Sequence, residues 1–353
     1  MQVSQFLSNC SADAVSKAAA NLLAGNLVAF PTETVYGLGA DACNADAVGR
    51  IYSVKGRPAD HPLIVHVGSM DALGDWAADV PGYAISLARD FWPGPMTLIM
   101  KRSDLAGDFV TGGQDTVGVR VPDHPVALGL LQAFAQIGGK GVAAPSANRF
   151  GNVSPTTAQA VADELSDYLG DTDQILDGGP CEVGVESTII DCTGDRPRIL
   201  RPGAVTVAMI EESTGLAVRD SVAASGGKAV DEEQIRVSGS LDCHYAPLAT
   251  VVLDQSPLAG QGFIAMADMA TPDGVVRLAA PKNEEEFARV LYAALRAADE
   301  QGLKTVVVAQ PQGAGIAIAI RDRLKRAAHS GSCLLYTSPS PRDTERSRMP
   351  SSA

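Results

Sequence analysis

The chain has 353 residues, a formal net charge of −13 and a hydrophobic content of 46%, which is the composition of a soluble globular protein long enough for two domains. The acidic balance excludes a broad cationic surface for nucleic acid, and no apolar run of about 18 or more residues predicts a membrane span. The six cysteines form no C-x-x-C pair and the N-terminus shows no secretory signal pattern, so we expect a reduced, cytoplasmic protein without a zinc knuckle or a disulfide framework.

The first half of the chain predicts alternating helices and strands. Ser11 is the predicted N-cap of an amphipathic helix over residues 12–24. The apolar run 27–30 predicts the first strand, and the glycine-spaced segment Tyr36–Gly39 predicts a turn. Further helices are predicted at 45–54, 81–91, 124–137 and 157–169, and further strands at 63–67, 97–100, 117–121, 141–144 and 185–191. This alternation predicts an α/β domain over residues 1–210, built on a mixed twisted sheet with flanking helices.

The second half predicts a linker and a smaller domain. Residues 211–247 are rich in Ser, Gly, Ala and charge without a sustained period, which indicates a linker or a lid. Residues 248–330 predict a second, Rossmann-like α/β domain, with strands near 250–253, 262–266, 274–278 and 304–309 and helices at 284–300 and 315–328. Residues 331–353 are rich in Ser, Pro and Arg and lack any period, so we interpret them as a non-native or disordered tail.

The loop Lys55-Gly56-Arg57-Pro58 is the clearest candidate for a phosphate site. Two cations flank a glycine and the proline stiffens the loop, which suits gripping phosphate oxygens, although a solvated basic turn has the same pattern. Gly37-x-Gly39-x-x-Ala42 resembles a dinucleotide fingerprint only weakly, because cations replace the acidic residue expected about 20 positions on. No G-x-x-x-x-G-K-[ST] segment occurs, so the chain is not a P-loop protein.

Polar side chains follow the predicted buried strand at 141–144. Ser146, Asn148 and Ser154 offer hydroxyl and amide groups that a ligand would use. Capping of the next helix is the alternative interpretation, and it fits Ser154 in particular. The segment therefore indicates either a second half of the ligand site or an ordinary helix start.

Three polar residues next to or within apolar runs each have two interpretations. Arg120 ends an apolar strand and needs either a substrate carboxylate or an internal ion pair. His66 either binds a ligand or is a satisfied core histidine, and Glu186 binds either Mg²⁺ or an arginine. No Ser-His-Asp order and no His-Glu-x-x-His pattern is present. The candidate residues are cations and hydroxyls with few possible bases. They therefore favour a group-transfer reaction that is catalysed by substrate positioning and charge neutralisation.

Seven motifs occur in a fixed order along the first domain: FPTETVYGLG, KGRPADHPLIVHV, WPGPMTLIM, TVGVRVP, APSAN, GVESTIID and ILRPG. Together they closely resemble the YrdC-like family over residues 12–207. HYAP at 244–247 and the second α/β unit resemble the two-domain L-threonylcarbamoyladenylate synthases of that family. Each motif alone is modest, but their shared order and spacing make the resemblance specific.

The resemblance implies a nucleotidyltransferase that converts L-threonine, bicarbonate and ATP into L-threonylcarbamoyladenylate and pyrophosphate. It implies Mg²⁺ accompanying ATP, and a downstream tRNA-modifying threonylcarbamoyl transferase as partner. The residues it implies for L-threonine are Thr34, His66, Arg120, Ala144 (through its backbone) and Ser187. Those it implies for ATP are Lys55, Arg57, His61, Thr116, Ser146, Asn148, Ser154, Arg201 and Tyr245, with Lys55 and Arg57 as the catalytic cations.

The sequence departs from the family pattern at two positions. His61 stands where the family usually has asparagine, and Phe150 replaces a usual serine after the APSAN motif. Neither change removes a cation, so we expect activity to be retained. Tyr245 comes from the linker, which predicts that the linker folds over the nucleotide as a lid and excludes water from a labile product.

Two other functions use related domains. One is a non-catalytic module that binds double-stranded RNA, because YrdC-like domains have a concave basic surface. The net charge and the lack of interleaved aromatic residues disfavour it, and leave weak RNA binding as an expectation. The other is a carbamoyl-transfer maturation protein, which would need zinc-finger and acylphosphatase-like segments. The absence of a C-x-x-C pair argues against it.

Overall fold

The structure is a computed structural model that describes residues 6–8, 10–219, 235–239 and 244–329. The strands of the first part are β1 (Leu7–Ser8), β2 (Val28–Phe30), β3 (Gly37–Asp41), β4 (Ile64–His66), β5 (Met96–Lys101), β6 (Thr116–Arg120), β7 (Val142–Ala143), β8 (Gln174–Leu176), β9 (Thr188–Asp191) and β10 (Arg198–Arg201). Its helices are α1 (Ala12–Leu23), α2 (Ala45–Lys55), α3 (Leu73–Trp76), α4 (Gly82–Phe91), α5 (Asp108–Thr111), α6 (Pro125–Gln136), α7 (Ala158–Leu165) and α8 (Val207–Thr214).

Side-chain caps fix the starts of the main helices. The predicted cap is present, since Ser11 Oγ accepts a hydrogen bond from the Ala14 amide at 3.2 Å. Asn44 caps α2 in the same way, which satisfies one of the otherwise unpaired amides of the first turn. Helix α2 ends at Gly56, whose φ of 62° is left-handed. Lys55 and Arg57 therefore lie on either side of a sharp change in chain direction.

The ten strands form one mixed sheet in the order β1-β8-β2-β3-β7-β4-β6-β5-β9-β10, as the alternation predicted. The turn predicted at Tyr36–Gly39 is wrong, because Gly37–Asp41 is strand β3, antiparallel to β2 and β7. A Cβ atom at Gly39 would lie 2.7 Å from Val142 Cγ1 and 2.8 Å from Phe30 Cε1. Gly39 therefore permits close packing of strand neighbours and does not form a turn.

The sheet brings distant polar residues together. Strand β4 pairs in parallel with β6 so that His66 lies opposite Arg120. On its other side β4 pairs with β7, and the Ala144 amide donates to the Ile64 carbonyl at 3.0 Å. Residues 66, 120 and 144 of the chain consequently meet at one place in the sheet.

The second part forms a sheet of four parallel strands in the order β11-β14-β12-β13, packed with two helices. Its strands are β11 (Thr250–Leu253), β12 (Gly262–Ile264), β13 (Val276–Ala279) and β14 (Thr305–Val308), and its helices are α9 (Glu284–Glu300) and α10 (Ile316–Ala328). The apolar cluster under this sheet also includes Val35, Val153 and Val185 from the first part. The two parts therefore share buried apolar contacts and pack directly on each other.

The predicted linker is partly described. Helix α8 extends past residue 210, so the linker begins with a helix that its composition did not predict. Residues 235–239 and 244–247 are described and lie against the first part, whereas 220–234 and 240–243 are outside the described residues. The predicted tail at 331–353 is also outside them, and the domain bounds stay predictions. Within the described ranges, no helix is long and apolar enough to cross a membrane.

Candidate functional site

A pocket with a cavity volume of about 50 Å³, partly open to solvent, lies where β4, β6, β7 and β10 end and β9 begins. All five residues predicted for threonine line it, together with four of those predicted for ATP. These nine residues are Thr34, Arg57, His66, Arg120, Ala144, Ser146, Ser187, Arg201 and Tyr245. The fold therefore gathers side chains from eight separate segments of the chain around one cavity.

Arg120 is held by three acceptors and keeps one nitrogen for a ligand. Its Nη2 donates to Glu33 Oε1 at 2.6 Å and to Thr34 Oγ1 at 3.0 Å, and its Nε donates to the Gly94 carbonyl at 3.3 Å. The internal ion pair considered from the sequence is therefore present. Nη1 makes no hydrogen bond within the described residues, so the guanidinium remains able to bind a carboxylate at the pocket wall.

His66 is neutral at physiological pH. Its Nδ1 lies 3.3 Å from the Ile64 carbonyl, and its ring meets Phe30 edge-to-face. Burial, reinforced by the charge of Arg120, lowers the pKa of His66 to about 3. The side chain therefore serves the pocket as an uncharged hydrogen-bonding group and not as a cation.

Two buried arginines, Arg57 and Arg201, form the cationic side of the pocket. Arg57 Nη2 donates to the Pro62 carbonyl at 2.9 Å and to Ser238 Oγ at 3.1 Å, and burial lowers its pKa to about 10. Arg201 donates to the Ser187 carbonyl from Nε and Nη2, and to the Ser238 carbonyl from Nη1 at 2.9 Å. Ser238 of the linker thus bridges both guanidinium groups, and this site residue was missed because its Ser/Gly-rich segment carries no motif.

Lys55 does not line the pocket. Its ammonium donates to the Ser146 carbonyl at 2.5 Å and to the Asn148 carbonyl. Burial, followed by the charge of Arg57, places the pKa of Lys55 well below its usual value. Lys55 therefore holds the loop that carries Ser146 and Asn148. Of the two cations in the segment Lys55-Gly56-Arg57-Pro58, Arg57 is the one that reaches the pocket.

Glu186 is bound to an arginine, which decides between its two predicted partners. Its Oε2 accepts from Arg323 Nε at 2.7 Å and from the Tyr292 hydroxyl at 2.9 Å, and its Oε1 accepts from Ser154 Oγ at 2.6 Å. Burial by itself would raise the pKa of Glu186, but the charges of Arg323 and Arg201 and these hydrogen bonds lower it to about 2. Ser154 is therefore oriented by Glu186 and does not cap a helix; Thr157 caps α7.

His244 and Tyr245 bring the linker onto the pocket. Tyr245 has a left-handed φ of 63°, a conformation that is costly without surrounding support. The Ala246 amide, which donates to the Gly151 carbonyl at 3.0 Å, supplies part of that support. Burial lowers the pKa of His244 to about 3, so its ring is neutral where it packs edge-to-face on Tyr245 at 4.1 Å.

Several buried polar atoms around the pocket have no hydrogen-bond partner within the described residues. They are Arg57 Nε, Asn148 Oδ1, His244 Nδ1 and the Tyr245 hydroxyl. Buried polar atoms are almost always paired, so a group of unpaired donors and acceptors around one cavity indicates a polar ligand. This arrangement supports the predicted nucleotide side of the site.

The remaining predicted residues lie next to the pocket. Thr116 lines a smaller hollow under residues 236–238 of the linker. The two departures from the family pattern contact each other, because the His61 and Phe150 rings meet edge-to-face at 5.3 Å and Phe150 also meets His244 at 6.1 Å. The substituted positions therefore form one aromatic row beside the lid.

The described residues do not form a protein-bound Mg²⁺ site. They contain no group of three or more His, Cys, Asp or Glu side chains placed to hold a metal ion. Glu186 is the one carboxylate lining the pocket, and both of its oxygens are already hydrogen-bonded.

The pocket is lined by the first α/β unit and the linker, and the first unit packs on the second, so the chain is a two-domain α/β protein. The sequence profile described as "Telomere recombination", of the Sua5, YciO and YrdC proteins, matches residues 20–203. A profile described as "Threonylcarbamoyl-AMP synthase, C-terminal domain" matches residues 205–329. The chain belongs to the Sua5/YciO/YrdC family, in its two-domain form.

Curated relatives carry one enzyme name. The threonylcarbamoyl-AMP synthase of Pyrococcus abyssi is 39% identical over 320 residues, which cover 86% of this chain and 91% of that protein. The Bacillus subtilis enzyme of the same name is also 39% identical, over 89% and 92% of the two chains. The crystal structure of Pyrococcus abyssi Sua5 complexed with L-threonine is similar with a TM-score of 0.80, at 37% identity, and covers 91% of this chain and 97% of that one.

Proposed function

We propose that this chain is a threonylcarbamoyl-AMP synthase, which makes L-threonylcarbamoyladenylate and pyrophosphate from L-threonine, bicarbonate and ATP. One observation carries the proposal. The five residues predicted to bind L-threonine meet Arg57 and Arg201 at one pocket, and unpaired polar atoms lie around it. The names of the relatives and the L-threonine bound to the similar crystal structure support the same substrate.

The threonine side of the pocket is built to hold an amino acid. Arg120 Nη1 binds the carboxylate, while the neutral His66 and the Thr34 hydroxyl accept or donate hydrogen bonds without adding charge. The amine of threonine reacts in its neutral form, which the positive charges of Arg57 and Arg201 in the same pocket favour over the ammonium form. It adds to the carbon of bicarbonate with loss of water and gives the carbamate.

The nucleotide side of the pocket is built for charge neutralisation. One carbamate oxygen attacks the α-phosphorus of ATP, the bond to the β-phosphate oxygen breaks, and pyrophosphate leaves. Arg57 and Arg201 face the charge that develops on the phosphate oxygens, in a site where burial strengthens their effect. Ser238 and Tyr245 cover the site and limit water access to the mixed anhydride.

Threonine-dependent pyrophosphate release tests the proposal. Purified protein is incubated with ATP, Mg²⁺, bicarbonate and L-threonine, and pyrophosphate is measured with and without each substrate. Release should require both threonine and bicarbonate, and D-threonine serves as the matched control substrate. Release at the same rate without threonine would overturn the proposed reaction.

The same proposal includes a downstream enzyme, a metal ion and weak RNA binding. The adenylate would pass to a tRNA-modifying threonylcarbamoyl transferase in the cytoplasm, and Mg²⁺ would enter with ATP. Weak binding of double-stranded RNA belongs here as well. A net charge of −13 predicts that such binding disappears at physiological salt. Salt-sensitive binding of RNA, together with no pyrophosphate release, would favour the RNA-binding module instead.

A further inference from the structure

A buried ionic network joins the second domain to the pocket. Glu186 comes from the segment before β9, but two of its three hydrogen-bonding partners, Tyr292 on α9 and Arg323 on α10, belong to the second domain. Arg323 is 1% exposed and Tyr292 0% exposed. A charged group at such depth is tolerated only when it is paired. The contact between Glu186 and Arg323 therefore requires the two domains to pack on each other in this arrangement.

Arg323 also holds the backbone of two adjacent segments, one before β9 and one after β10. Its Nη2 donates to the Pro202 carbonyl at 3.0 Å and approaches the Glu186 carbonyl at 3.5 Å. Pro202 directly follows Arg201, and Glu186 directly precedes Ser187. One guanidinium thus joins the two segments that carry these pocket residues, and its fork geometry is what a lysine lacks.

The same two residues support the lid. The Tyr292 ring stacks on the Tyr245 ring with centroids 5.8 Å apart and an angle of 23° between the planes. Arg323 Cζ lies 5.3 Å from the centroid of Tyr245 on its face, a distance at which a cation is attracted to the ring. Tyr245 is therefore fixed between the pocket and the second domain.

A close approach of the two backbones sets the position of this network. Gly184 has a φ of 82°, and a Cβ atom there would lie 2.4 Å from Arg289 Cα and 2.5 Å from the Ala288 carbonyl oxygen on α9. Arg289 Nε donates to the Glu182 carbonyl at 2.8 Å, and Arg296 Nη2 to Glu164 Oε2 at 2.6 Å. Helix α9 is thus held along its length, which keeps Tyr292 against Glu186.

We propose that Arg323 and Tyr292 are positioning residues for the nucleotide half of the site, so that the second domain holds residues of the ATP-binding surface in place. They act through Glu186 on Ser154, through the Pro202 carbonyl on Arg201, and directly on Tyr245. Arg120, which holds the threonine carboxylate, makes no contact with them. The inference rests on the proposed function for the identity of the two ligands.

A positioning role separates the two ligands, whereas a purely structural role does not. Loss of domain packing alone would lower the fraction of folded protein and leave the affinities of the remaining folded molecules unchanged. Loss of positioning weakens the binding of the nucleotide and leaves threonine binding intact. The ratio of the two dissociation constants is therefore the informative quantity.

The experiment uses full-length protein and calorimetric titration with α,β-methylene-ATP plus Mg²⁺ and, separately, with L-threonine. Arg323→Lys keeps the charge but loses the fork, and should raise the Kd of the nucleotide analogue by about tenfold or more, as expected for lost charged hydrogen bonds. The Kd of L-threonine should change by less than about twofold. Arg321→Lys is the matched control, since that guanidinium binds the Pro311 and Gly313 carbonyls within the second domain.

Tyr292→Phe keeps the test decisive if Arg323→Lys folds poorly, because it removes one hydroxyl and retains the ring. It should raise the Kd of the analogue by about threefold to tenfold with threonine affinity unchanged. Equal effects on both ligands, or no effect of either variant on the analogue, would overturn the inference. Wild-type protein that releases no threonine-dependent pyrophosphate would instead overturn the proposed function, so the two failures are distinguishable.

Discussion

Arg120 shows how one side chain serves the fold and a ligand together. Glu33, Thr34 and Gly94 orient its guanidinium from one side, so the remaining nitrogen is presented to the pocket without a loss of side-chain entropy on binding. Of the two interpretations that the sequence left open, the internal ion pair is present, and binding of a substrate carboxylate stays a prediction.

Replacing Arg120 with alanine should weaken threonine binding far more than nucleotide binding. Removal of one partner of a buried charge pair costs about 2–5 kcal/mol, and we expect a loss of that size in threonine affinity by calorimetry. Glu33→Gln is the matched control, because it removes the partner carboxylate and leaves Nη1 in place. It should retain threonine affinity while lowering stability, and equal losses for both ligands in Arg120→Ala would contradict the assignment.

The His61–Phe150 pair predicts energetic coupling between the two departures from the family pattern. Edge-to-face aromatic pairs contribute about 0.5–1.5 kcal/mol beyond their buried area. In a double-mutant cycle of His61→Asn and Phe150→Ser, the double variant should lose less stability than the sum of the single variants by that amount. Strict additivity in urea denaturation would show that the two rings do not interact.

Strands and helices were predictable where local pattern decides them. Helix α9 was predicted with its observed ends because Asn283 and three acidic residues mark its start. Strand β3 was predicted as a turn because two of its first three residues, Gly37 and Gly39, are glycines. The reason for the glycine at position 39 is the close approach of side chains on the neighbouring strands. Contacts that come from far along the chain leave no local signal.

Gly184 and Gly179 give a matched test of the close contact with α9. Both have left-handed φ angles, 82° and 84°, but a Cβ atom at Gly179 meets nothing within 4 Å. Alanine at either position should cost about 1–2 kcal/mol of backbone strain. Gly184→Ala should cost about 1–3 kcal/mol more, because α9 must move. Equal losses of unfolding free energy in the two variants would show that α9 does not pack this closely.

At the scale of the whole molecule, the pocket was predicted better than the domain contact. Short polar motifs carry Thr34, Arg57, Arg120 and Arg201, and the family resemblance of these motifs implied that the four residues belong to one site. Arg323 lies in an ordinary amphipathic helix, and nothing in its sequence neighbourhood shows which carboxylate it meets. Arg323 is a cation on the buried face of its helix. This can be recognised only once the burial of each residue is known.

Protonation of buried histidines should make the protein acid-sensitive. His66 and His244 have pKa values of about 3 in the folded protein, so below about pH 6.5 the unfolded chain binds more protons and stability falls as pH falls. The carboxylate of Glu186, with a pKa of about 2, loses its contribution only below the unfolded value near 4.5. Between these limits the loss therefore comes from histidine, with the pKa values of the half-buried His61 and His124 lowered in the same direction.

We expect the unfolding free energy to fall by about 1.4 kcal/mol per pH unit for each fully buried histidine. Urea denaturation between pH 7.5 and 5 measures this slope. His244→Asn should reduce the slope relative to the wild-type protein, even though it also lowers stability at neutral pH. A slope unchanged by that substitution would contradict the assignment of His244 as a buried neutral side chain.

The hydrogen bonding of Glu186 ties this residue to the presence of the second domain. A chain reduced to the first domain would keep the carboxylate and lose Arg323 and Tyr292, so of its three hydrogen-bonding partners only Ser154 would remain. The surface uncovered by the truncation would then carry a carboxylate with water in place of the lost partners.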